Sequence, residues 1–196
     1  MDFQPATLLA IASGVVIAAT CGLRAFLPLF ALGLVARFTA LPLHEATGWL
    51  RSDVALISLG VATLAEILGD KIPVVDHVLD AVGLAVRPLA AAFGSFALLQ
   101  GVPEPWSALI AITLGGFALG VQGVKAKARL GSSALTLGTA NPLLSFAEDA
   151  LALLGTALAL LAPIVALIGV LLVLAWVTRR ASRRPQDAAR PLATRP

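Results

Sequence analysis

The chain has 196 residues, 59% of them hydrophobic and only 13% charged, with a net charge of +3 and a mean hydropathy of +0.94. Soluble domains average about 25% charged residues, and a small fold has too much surface for its volume to hide this much apolar area from water. A water-soluble globular fold is therefore excluded, whereas a lipid-facing surface requires this composition.

A spanning helix takes about 20 residues, so five to seven segments would use nearly the whole chain as one bundle. The fold class expected is an all-α membrane protein, a polytopic helical bundle with broken or re-entrant helices. Residues 1–178 form the transmembrane domain and residues 179–196 a basic, disordered cytoplasmic tail. No cleavable leader is predicted, because Asp2 stands where a basic region belongs. The single cysteine, Cys21, permits neither an internal disulfide nor a cysteine cage for a metal, and reads as a small packing residue.

Apolar segments run over residues 6–20, 24–38, 53–69, 81–100, 106–124 and 150–177. The first two are parted only by Cys21-Gly22-Leu23, which fits either one long broken helix or a tight helical hairpin. Pro73 lacks a backbone donor and disfavours helix just before it, so a break is predicted near Lys71–Pro73. The small residues Gly115, Gly116 and Gly120 predict close helix contacts. Residues 132–149 are too polar for an ordinary span and too apolar for an exposed loop, and read as broken backbone lining a cavity. Residues 150–177 would make one helix of about 42 Å at 1.5 Å per residue, bent at Pro163. Trp49, Trp106 and Trp176 stand near segment ends, as interfacial residues do. The arginines after residue 178 would suit nucleic acid on their own. Directly after a hydrophobic helix they read as an anchor on the cytoplasmic side of an inner membrane, with a bacterial location and no nucleic-acid partner.

The charges gather in few places. Glu66 and Asp70 are four apart and share a helical face, as do Asp76 and Asp80, with Arg87 seven beyond Asp80 and His77 alongside. Glu148 and Asp149 follow Asn141-Pro142 and Ser145, and Ser145-x-x-Glu148 matches a capping box. Lys125 and Arg129 lie four apart with Gln122 near the same side, and Arg24 stands alone between apolar residues. Each carboxylate at membrane depth costs a few kcal/mol unless paired or wetted. Three readings follow: a hard-cation site in which Asp76 and Asp80 hold a divalent metal, a protonatable transport path, or a self-neutralised structural core. The polar cavity or path would comprise Arg24, Glu66, Asp70, Lys71, Asp76, Asp80, Arg87, Lys125, Arg129, Asn141, Ser145, Glu148 and Asp149. No nucleophile elbow, P-loop or HExxH motif occurs, and no catalytic residue is assigned.

The words GLRAFLPL at 22–29, EILGDKIPVVDHVLD at 66–80, VRPL at 86–89, GVKAKAR at 123–129 and NPLLSFAED at 141–149 resemble the bacterial membrane family catalogued as domain of unknown function 4126. The resemblance runs from about residue 8 to residue 177; members often carry His where this chain has Gln122. It implies one conserved membrane unit and names no reaction. Asp76-x-x-x-Asp80 is also similar to the end of the metal motif of CDP-alcohol phosphotransferases, whose preceding Asp-x-x-Asp-Gly is absent here. The function expected is a small transporter- or channel-like protein moving an ion, small solute or lipid through a charged cavity. The alternatives are a metal-dependent enzyme acting on a phospholipid or polyprenyl phosphate, and a non-catalytic structural subunit. Expected partners are the lipid bilayer, an ion, small solute or anionic lipid, and further copies of the chain.

Overall fold

The computed structural model describes residues 4–136 and 139–188; the side chains of 73, 74, 76, 77 and 181–188 lie outside the described part. Helix α1 spans Pro5–Leu23 and α2 spans Phe26–Phe38, parted by Arg24 and Ala25. A 3-10 turn over Glu45–Arg51 leads into α3, Asp53–Gly69, which Ser52 caps by accepting from the Ala55 N–H at 3.2 Å. Helix α4 covers Pro73–Leu98, α5 Trp106–Thr136, α6 Asn141–Leu161 and α7 Pro163–Ala188. No strand occurs among the described residues.

Five stretches are long and apolar enough to cross a membrane: Pro5–Leu23, Val78–Leu98, Trp106–Thr136, Asn141–Leu161 and Pro163–Arg180. The 3-10 turn and α3, bent by 71° at Ser52, together have the length and hydropathy of a sixth, as a broken span or a re-entrant loop. On α3 the residues Val54, Ile57, Val61, Leu64 and Leu68 repeat every three or four positions and are all more than half exposed. That stripe faces outward, while Ser, Thr, Arg and Glu side chains are buried. An apolar exterior around a polar interior is what a bilayer selects, and the protein is a multi-pass membrane protein.

Helix α1 is the central strut, packed against α4, α5, α6 and α7. Its neighbours alternate in direction. The Ser95 hydroxyl of α4 donates to Gly14 O at 2.9 Å, while Asp80, near the start of α4, lies beside Gln122 of α5. In α6, Ser145 meets Arg24 at one end of α1 and Ala159 O accepts from Ser13 at 2.8 Å near the other. The first two apolar segments form a hairpin, since Ala25 meets Glu66 at one end while His44, soon after α2, donates its N–H to Ala97 O at the other. The break before Pro73 is present, with Pro73 in the first turn of α4.

Two expectations are corrected. Residues 150–177 are not one bent helix. Ala162 leaves helical geometry at φ −145° and ψ 66°, Pro163 starts α7, and α7 doubles back along α1. Glu148 and Asp149 therefore lie at the same end of the bundle as the C-terminal helix end. Residues 132–149 do contain the expected break, between Thr136 and Asn141, but α5 reaches Thr136 and α6 starts at Asn141, so most of the stretch is regular helix. The Thr136 hydroxyl donates to Ser132 O at 2.8 Å, so this polar side chain is satisfied within the last turn of α5.

Gly22 and Gly115 are two of the glycines at which α5 closely meets its neighbours. A Cβ on Gly22 would sit 2.8 Å from Ala118 O and 2.7 Å from Val121 Cβ, and one on Gly115 would sit 2.7 Å from Pro88 O. Gly116 and Gly120 have nothing within 4 Å of such a Cβ, so they do not serve helix contact as their spacing predicted. Gly22→Val is expected to lower the midpoint of thermal unfolding in detergent, at a cost of about 1–3 kcal/mol or more from overpacking, whereas Gly120→Ala leaves it within a degree or two or raises it.

Candidate functional site

The breaks between helices bring charged side chains from five elements to one end of the bundle. Arg24, just past α1, is 0% exposed. Its guanidinium donates to the Asp70 carboxylate and, at 2.9 Å, to the Ser145 hydroxyl. Its Nε lies 2.7 Å from Asp149 Oδ1, an ion pair whose angle falls outside hydrogen-bond geometry. A planar fork with five donors is the side chain suited to gathering several acids at once.

Asp70, at the end of α3, is the shared acceptor. Its Oδ2 also takes Arg129 Nη2 at 2.9 Å and faces Lys125 Nζ at 3.7 Å, while Oδ1 has no hydrogen-bond partner among the described residues. Arg129 grips Glu148 with two bonds, Nε to Oε1 at 3.1 Å and Nη2 to Oε2 at 2.8 Å. Lys125 Nζ is 3.0 Å from the same Glu148 Oε2 and 3.3 Å from Leu23 O at the end of α1. Asp80 faces Arg87 at 3.4 Å, Arg129 at 3.8 Å and Lys125 at 3.9 Å. Lys71 closes the outer rim by pairing with Asp149 at 3.4 Å, bonding Ile67 O at 2.9 Å and covering the Phe146 ring at 4.5 Å.

Glu66 does something the sequence did not suggest. Its two oxygens accept the Ala25 N–H at 2.9 Å and the Phe26 N–H at 3.2 Å, so a carboxylate on α3 caps the start of α2. The free N–H groups and positive dipole end of a helix favour an anion there. The cations Lys125 and Lys71 meet carbonyls at the negative ends of α1 and α3 in the complementary way.

The structure thus unites ten of the thirteen residues named from sequence as ion-paired charges: Arg24, Lys71, Arg87, Lys125 and Arg129 with Glu66, Asp70, Asp80, Glu148 and Asp149. Ser145 joins them through Arg24, and it does so from inside α6, not as the cap of a helix that starts at Asn141. Asn141 instead donates to Ser133 Oγ at 2.9 Å. The side chains of Asp76 and His77 lie outside the described residues. Lys127 is exposed and faces away. Gln122, not among the site residues expected, belongs to the cluster by donating to Asp80 O at 3.3 Å; its spacing of three from Lys125 was the available signal.

Among the described residues no group of three or more His, Cys, Asp or Glu side chains is arranged to hold a metal ion. Asp80, one half of the expected metal pair, already faces three cationic side chains within 4 Å. A cavity of about 650 Å³ lies at the opposite end of the bundle, with Ser13 in its wall, and a wholly apolar one of about 620 Å³ lies between α2, α4 and α5.

Removing one partner from a buried ion pair leaves an uncompensated charge, costing about 3–5 kcal/mol, whereas replacing both by apolar residues is near neutral. Arg24→Met is accordingly expected to destabilise strongly, and Arg24→Met with Asp70→Leu to recover most of the loss. Thermal unfolding of the purified protein in detergent reads both, and a double variant as unstable as the single one contradicts mutual charge compensation.

No curated protein and no solved structure matched the chain. Among known families, a match over residues 11–183 takes in every member of the ion-paired cluster, and the chain belongs to the family described as Domain of unknown function (DUF4126).

Proposed function

We propose that this protein is a small membrane carrier in which the ion-paired cluster is the closed gate at one end of a solute path. The observation that carries the reading is the convergence of five cations and five acids, from five separate elements, on one end of a bundle whose other end holds a cavity of about 650 Å³. Burying so many charges at membrane depth is costly and is typical of transport paths. Between the two ends runs a seam of hydroxyls on the contact of α1 with α6. Ser13 lies at the cavity, and Thr20 and Thr156 are 3.3 Å apart further along. Arg24 follows, four residues beyond Thr20. The seam is shut in this structure, since a Cβ on Gly155 would come within 2.6 Å of Thr20.

The gate end faces the cytoplasm of an inner membrane in this reading. The exposed Lys127, Arg179 and Arg180 are at that end, which is the side that attracts lysine and arginine.

The completeness of the pairing, with Glu66 capping α2, also supports a second reading as a purely structural core. Flux separates the two. Liposomes holding the purified protein are expected to take up at least one probe among protons, potassium ions and small polyols faster than protein-free liposomes. Asp149→Asn and Asp80→Asn, which each thin the gate, should change that rate at least about threefold, or about 0.7 kcal/mol in barrier, with Lys127→Gln as an unaffected control. Folded variants whose flux matches wild type, or no flux with any probe, would favour the structural core.

A further inference from the structure

The cavity at the end opposite the cluster has a chemical character of its own. It is a partly open cleft lined by the start of α1, the end of α6, the start of α7, the connection between α4 and α5, and Leu41 and Pro42 after α2. No Asp, Glu, Lys, Arg or His is among its lining residues. Its polar groups are the amides of Gln4 and Gln100 and the hydroxyls of Thr7 and Ser13, set against apolar walls that include Leu98 and Leu160.

The side chains of Gln4, Thr7 and Gln100 make no hydrogen bond among the described residues, so their donors and acceptors are available to an occupant. Ser13, 8% exposed at the inner wall, donates to Ala159 O and keeps its oxygen lone pairs as acceptors. The helix ends at the cavity are of both polarities, the positive starts of α1 and α7 and the negative ends of α4 and α6, so neither sign of charge is favoured. A full charge would find no counter-ion there, and a volume of about 650 Å³ is in the range of small-molecule sites.

We propose that this cavity binds a small uncharged molecule with hydroxyl or amide groups on an apolar body. As the substrate class of the path it rests on the carrier reading; as a binding site it does not.

The test uses thiol chemistry, which needs no transport. Cys21 is fully buried and is replaced by Ala to give a thiol-free background. Ser13→Cys and Thr7→Cys are then made separately, so that the rim position Thr7 decides alone if loss of the Ser13 hydrogen bond prevents folding. In nanodiscs, neutral methyl methanethiosulfonate is expected to modify each cysteine at least roughly tenfold faster than its sulfonate and trimethylammonium analogues, after correction for their rates with a free thiol, because the charged reagents lose hydration without gaining a partner. The diol 1,2-hexanediol should slow the neutral reaction, and hexanoate at equal concentration should not. Charged reagents that keep pace, or hexanoate protecting as well as the diol, would overturn the proposal. Labelling as expected in a protein that moves no solute keeps this site and removes the carrier reading. Charged reagents keeping pace in a protein that does move solute has the reverse meaning.

Discussion

Arg24 has none of its side chain exposed, inside a molecule whose outer surface is hydrocarbon. An isolated guanidinium in such surroundings is untenable, because arginine does not give up its proton. Acids must therefore come to it, from α3 as Asp70 and from α6 as Asp149 and Glu148. Those acids exceed one positive charge and draw in Lys125 and Arg129 from α5 and Lys71 from the turn after α3. One buried charge thus fixes the relative height of α1, α3, α5 and α6, and Asp80 with Arg87 adds α4.

The same residues also settle the backbone at the helix breaks. Interrupting a helix at membrane depth strands N–H and C=O groups where water cannot reach them. Glu66 takes two of the stranded donors at the start of α2, and Lys125 and Lys71 take carbonyls at the ends of α1 and α3. Tight interhelical contact at Gly22 and Gly115 then brings α5 close enough to α1 and α4 for its lysine and arginine to reach the cluster.

What was legible in the sequence follows from this physics. Charged residues in an apolar chain are conspicuous, so ten of the thirteen candidate residues were found as paired charges, and Pro73 marked its break because a missing N–H is a local property. Ser145 was misread as a cap because its true partner, Arg24, is 121 positions away in the chain. Glu66 as the cap of α2 was invisible for the same reason, being 40 and 41 positions from the amides it accepts. The turn at Ala162 was missed because a proline inside an apolar run is equally consistent with a kink, and only packing against α1 decides between kink and reversal. Residues 132–136 stay helical with polar side chains, as the Thr136 hydroxyl bonds back to Ser132 O and Ser133 accepts from Asn141, neither of which hydropathy registers.

The division of charge among elements limits how the cluster can open. Among the described side chains α5 brings two cations and α6 two acids, while α4 brings one of each. Arg24 of α1 balances the single net negative charge of Glu66, Asp70 and Lys71 at the end of α3. Moving α6 alone would strand two acids on one side and two cations on the other, and the cost of unpaired charge at membrane depth forbids it. Withdrawing α5 and α6 together would break the pairs of Arg24 with Asp149 and of Arg129 and Lys125 with Asp70, and would part the close contacts of α5 with α1 and α4 at Gly22 and Gly115. A cluster built this way resists piecemeal loosening, since α5 or α6 withdrawn alone would leave unpaired charge at membrane depth.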